Sequence, residues 1–174
     1  MVDWNLESPS LHRFFQDKFS GKNEAELDQY PGLIDLFVDL GSAKGSAKEI
    51  LAGVDPAQFV LPTDIPSLSL LKAGRFDGDY FAAVSNFQWA ALHERVPLLL
   101  ASLLDFWTRQ YRFVLIDSTS GVGELSGLCT MMLPDKLVAA FTTSKQSLLG
   151  ALDVARCAAD AAVEGPRGGV NGER

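Results

Sequence analysis

Asp117 closes an apolar, β-forming run, YRFVLI over residues 111–116, and is followed at once by a Ser/Thr turn and Gly121. A carboxylate at the carboxyl end of a strand can hold a hydrated magnesium ion, and a glycine just beyond it can turn its backbone N–H toward a terminal phosphate. Residues 112–116 have the continuous apolar, β-branched and aromatic character of a strand buried on both faces, which predicts a parallel sheet covered by helices. Open α/β sheets bind their ligands at such carboxyl ends. A plain strand-to-loop junction, with Asp117 as a turn former, accounts for the same pattern.

The other residues able to do chemistry are sparse. His12, His93, Cys129 and Cys157 stand far apart in the chain, none at ligand spacing, so neither a zinc site nor a Cys/His nucleophilic pair is expected. The two cysteines lie in segments that read as helical or buried and are expected as reduced thiols. Gly121 and Gly123 begin a near match to the dinucleotide-binding G-x-G-x-x-G pattern, but Ser126 stands at the third glycine and the next apolar run ends in Thr142, Thr143 and Ser144 rather than an acid. No G-x-S-x-G elbow occurs. Residues 41–48, GSAKGSAK, lack the spacing of a phosphate loop and follow a helical pattern, so they read as a linker or helix-start loop.

Around these residues the chain has 174 positions, 47% hydrophobic and 21% charged, enough for one well-filled core. A net charge of -7 argues against a nucleic-acid surface, which needs clustered Lys and Arg. No apolar run approaches the ~20 residues of a membrane span and no signal peptide is visible, so a cytoplasmic protein is expected, with neither nucleic acid nor membrane as partner.

The elements that must position Asp117 follow from periodicity. MVDW reads as the tail of a strand, and residues 11–19 as a short aromatic helix. Residues 27–40 are helical, broken at Pro31-Gly32, with Leu33, Leu36, Phe37 and Leu40 on one face. Residues 44–51 suggest another helix, and 59–62 and 68–72 short strands. The aromatic stretch 76–91 reads as helix or loop-and-helix. Residues 96–110 give the clearest helix, with Leu99, Leu100, Leu103, Leu104 and Trp107 in one stripe. After one or two turns near 125–132, residues 137–143 read as a strand. Ser144 then caps a helix whose Leu148, Leu152, Ala155, Ala159 and Ala162 share a face. Residues 165–174 are expected to be a flexible tail.

Taken together, several stretches resemble the MinD/ParA class of P-loop ATPases: VDWNLESPSLHRFF at 2–15, GLIDL at 32–36, LLKAGR at 70–75, VLIDSTSG at 114–121, SGLCTMMLPDKLV at 126–138 and FTTSKQSLLG at 141–150. The resemblance spans about residues 2–160 and implies a partial ATPase domain over 1–164. The implied fold is a three-layer α/β structure, a mostly parallel sheet with helices on both faces, P-loop NTPase-like with its first strand missing. It also implies that the strand at 2–4 lies between the Asp117 strand and residues 68–72, and that the absent strand belongs between the Asp117 strand and residues 137–143.

Carried over by position, the resemblance makes Asp117 the metal-holding Walker-B acid and Gly121 the switch glycine. Asp3 falls close to the metal and phosphate site, and Ser147 at a junction on the far side of the nucleotide. Asn5 takes the catalytic position where the class usually has an aspartate that orients the attacking water; an amide can hydrogen-bond water but cannot act as a base. The implied cofactor is Mg-ATP, and the implied work is ATP-dependent switching sensed by a protein partner or a second copy. The glycine-rich lysine loop of the class is absent from these residues, so ATP binding and hydrolysis are expected to be impaired. The alternatives are a non-catalytic interaction module that has lost the nucleotide, or a truncated gene product.

Overall fold

A computed structural model describes residues 1–119 and 123–164 and shows a mixed α/β chain. Its backbone divides into two compact units, Met1–Asp117 and Ser118–Arg174. The first contains β1 (Val2–Trp4), α1 (Leu11–Phe14), α2 (Glu24–Gln29), α3 (Leu33–Ser42), α4 (Ala47–Gly53), β2 (Leu61–Pro62), β3 (Ser69–Leu70), α5 (Tyr80–Asn86), α6 (Trp89–Arg95), α7 (Leu99–Gln110) and most of β4 (Ile116–Ser118). The second contains α8 (Glu124–Gly127), a π-helical turn at Leu128–Met132, and α9 (Lys145–Glu164).

The strands are short and stitched together. β1 pairs in parallel with β4, and β2 pairs antiparallel with β3 in the register Leu61 to Leu70. A parallel bridge between Val2 and Leu71 joins the two pairs. Val2 N–H donates to the Leu115 carbonyl at 2.7 Å, Asp3 N–H to Leu71 at 2.9 Å, and Leu71 N–H to Met1 at 2.9 Å. β1 therefore lies between the β4 strand and the chain around Leu71, as expected for the strand at 2–4.

The end of this ribbon seats α3. Leu33 and Ile34 N–H, donors that a helix cannot satisfy in its own first turn, bond the Lys72 and Ala73 carbonyls at 2.8 and 2.9 Å. Asp35 Oδ2 accepts from both Gly32 and Arg75 N–H at 2.8 Å each. The approach is close enough that a Cβ on Gly32 would run into the Lys72 carbonyl, and one on Gly74 into Ile34 Cγ2 and the Tyr80 ring. The buried face of α3, Leu33, Ile34, Leu36, Phe37 and Leu40, meets Trp4 and Trp89, with Phe37 edge-on to both at 5.5 and 4.7 Å.

Capping explains the neighbouring helix starts. Asn23 with Glu26, and Ser46 with Glu49, form reciprocal boxes that open α2 and α4. The break expected at Pro31-Gly32 separates α2 from α3. α7 starts at Leu99, later than the expected residue 96, and buries Leu99, Leu103 and Trp107 fully.

Three expectations are corrected. Residues 112–116 are not a strand buried on both faces: β4 begins only at Ile116, and Phe113 and Leu115 are 72% and 60% exposed. A strand inside a sheet needs a neighbour at each edge, and among the described residues β4 has only β1. Residues 137–143 form no strand, for the same want of a partner. In α9, Leu148 and Leu152 are exposed, and the less exposed face is Ala151, Val154, Ala155, Ala158 and Ala161. Ser144 Oγ does accept from Ser147 N–H at 3.2 Å at the start of that helix. Residues 165–174, expected as a tail, lie outside the described residues.

Candidate functional site

Parallel pairing brings the carboxyl ends of β1 and β4 to one edge, and with them Asp3, Asn5 and Asp117. Asp3 is fully buried and Asp117 is exposed. Asp3 Oδ2 accepts from Ser10 and Leu11 N–H at 3.2 and 3.1 Å, so the carboxylate anchors the start of α1. Oδ1, also buried, has no hydrogen-bond partner. Burial drives the Asp3 carboxyl up to about 6; the N–H groups of Leu11 and Ser10 oppose the rise, the Asp117 charge adds to it, and the N–H of Asn5 opposes it. Two carboxylates thus converge, one holding its charge at a cost and with an oxygen to spare. Such a pair suits a hydrated divalent cation, which takes one or two protein carboxylates and fills its remaining positions with water or phosphate.

No cluster of three or more His, Cys, Asp or Glu able to hold a metal exists among the described residues. Two acids are fewer than an all-protein cage needs.

The remaining expected site residues are distributed differently. Asn5 is half-buried, and its carbonyl accepts from Ser8 N–H at 3.2 Å. Ser147 belongs to the second unit, where its Oγ accepts from Thr142 N–H at 2.9 Å and fixes the approach to α9. Gly121 lies outside the described residues. Cys129 is buried and its thiol pushed up to about 12 by burial, which makes it inert as a nucleophile, while Cys157 is exposed.

Beside Asp3 lies a polar cluster that the sequence reading missed. Lys72 is fully buried, donates to the Asp28 carbonyl at 3.0 Å and sits 4.3 Å from the centre of the Phe76 ring. Burial lowers its ammonium to about 8, against the pull of Asp28, Asp35 and Asp3. His12, 2% exposed, stacks on Phe76 at 4.6 Å, with Nε2 3.6 Å from Asp28 Oδ1. That spacing is too long for a hydrogen bond, and both ring nitrogens lack partners. Burial and the Lys72 charge bring His12 down to about 4, so it is neutral near pH 7. Tyr80 completes the wall, its hydroxyl donating to the Leu6 carbonyl at 2.8 Å. The available signal was a lysine directly after the apolar run LSLL, a place where a charge must either reach water or find partners.

No protein-family profile, curated protein or solved structure matches the chain.

Proposed function

We propose that this chain is part of a nucleotide-switch ATPase domain of the MinD/ParA type, with Asp117 facing a hydrated magnesium ion and Asp3 behind it. The observation that carries the reading is the meeting of Asp3 and Asp117 at the carboxyl ends of adjacent parallel strands, one with a buried, unpartnered oxygen. In this reading the short strands belong to a three-layer, mostly parallel sheet, and Gly121 is the switch glycine. Asn5 aligns water without taking its proton, so hydrolysis is slow. The bound cofactor is Mg-ATP, the switched state is sensed by a protein partner or a second copy, and the protein works in the cytoplasm. No described helix is long and apolar enough to cross a membrane.

Two carboxylates without a glycine-rich lysine loop cannot offset the desolvation and repulsion of a triphosphate, so affinity is weak. Calorimetry with Mg-ATP is expected to show no micromolar binding. Substoichiometric Mn²⁺ with ATP is then the sensitive probe: it should broaden NMR signals of residues 3–5 and 117–119 first, and Asp117→Asn should abolish that preference. Broadening spread evenly over surface acids, or unchanged in the variant, contradicts the site. The second reading, a non-catalytic interaction module, is favoured by Asn5, an amide where the resembled class has an acid.

A further inference from the structure

Lys72 and Asp3 are both fully buried, and the register of the ribbon sets them side by side. Val2 and Leu71 form a parallel bridge, with Leu71 N–H bonded to the Met1 carbonyl and Asp3 N–H to the Leu71 carbonyl. The next residue along each chain is Asp3 on one and Lys72 on the other, so their side chains leave the ribbon by the same face. The Lys72 ammonium has three N–H donors and gives one hydrogen bond, to the Asp28 carbonyl at 3.0 Å, beside the Phe76 ring. On Asp3, Oδ2 is taken by Ser10 and Leu11 N–H, while Oδ1 has no partner.

The two charges act on each other across that face. Asp28, Asp35 and Asp3 hold the ammonium charged against burial, and Arg75 opposes them. His12, on the same Phe76 ring, is neutral near pH 7 and adds no charge. In a poorly solvated setting such charges are weakly screened. With the cation absent, Lys72 offsets part of the cost of keeping a buried carboxylate ionised. With a divalent cation at Asp3, the same ammonium repels it. We propose that Lys72 is an internal counter-ion of Asp3 that competes with a divalent cation and so sets how tightly the cation is held at the carboxyl ends of β1 and β4. This rests on the reading of Asp3 and Asp117 as a magnesium site, and it gives that site a regulator: the cation is bound weakly and let go readily because a cation of the chain stands beside its ligand.

Titration with Mg²⁺ alone at pH 7, followed through the amide NMR signals of residues 3–5 and 117–119, tests this in the wild type and two variants. Lys72→Met removes the charge and suits a buried site; Lys72→Gln removes the charge and keeps a donor for the Asp28 carbonyl. Both should saturate at roughly tenfold lower Mg²⁺ than the wild type, because each deletes the repelling ammonium. Damage to the packing around Phe76 would instead weaken binding, so the gain separates lost charge from lost structure. Affinity unchanged or reduced in either folded variant would overturn the proposal while leaving the magnesium site standing. Wild-type shifts spread over the surface acids, with none concentrated at residues 3–5 and 117–119, would remove the site and the proposal with it.

Discussion

Asp3 and His12 are buried within a few residues of each other in sequence, and their proton equilibria oppose. The Asp3 carboxyl is raised to about 6, so its contribution to stability is complete below the unfolded value near 4 and is lost as pH rises through 6, up to about 3 kcal/mol. His12 is lowered to about 4, so its contribution is complete above pH 6.5 and is lost as pH falls through 4. Between pH 4 and 6.5 the two slopes cancel. Denaturant unfolding across that range should give a nearly flat profile for the wild type, stability rising with pH in Asp3→Asn, and stability falling with pH in His12→Phe. Parallel profiles in all three proteins would show that these groups do not titrate as described. Lys72 adds a separate window: its lowered ammonium removes stability as pH falls from 10.5 through 8, a slope that Lys72→Met should abolish.

Among the elements, the seat of α3 on the Lys72–Gly74 backbone holds the Asp3 end of β1 in place. Gly74→Ala would drive a methyl into Ile34 and Tyr80, and Gly32→Ala into the Lys72 and Gly74 backbone. Each should cost about 3 kcal/mol, because the backbone facing Gly32 cannot swing aside and the Ile34 and Tyr80 side chains facing Gly74 are buried in the packed core. Gly53→Ala, with open space around it, should stay within about 1 kcal/mol of wild type by thermal unfolding. A Gly74→Ala protein as stable as Gly53→Ala would contradict the packing at this seat. These elements also show what a sequence can reveal. α2, α3 and α4 were legible because their caps and apolar spacing are local: Asn23 with Glu26, Ser46 with Glu49, and Leu33 through Leu40 on one face. Residues 112–116 and 137–143 were misread because a strand's identity depends on its neighbour, and composition cannot say whether one is present. Lys72 was missed for the converse reason: only tertiary contacts bring Asp28 and Phe76 to it.

For the whole molecule, the nucleotide reading requires that Asp3 and Asp117 behave as one site although they lie more than a hundred residues apart in sequence. The decisive measurement is a titration of the Asp3 carboxyl carbon by NMR in three states: the wild type, Asp117→Asn, and the wild type with saturating Mg²⁺ and ATP. A midpoint near 6 in the wild type is expected to fall when the Asp117 charge is removed, because that charge disfavours ionisation. It should fall further with Mg²⁺ and ATP, because a cation beside Oδ1 stabilises the carboxylate. A midpoint that stays in place in all three states would contradict the account.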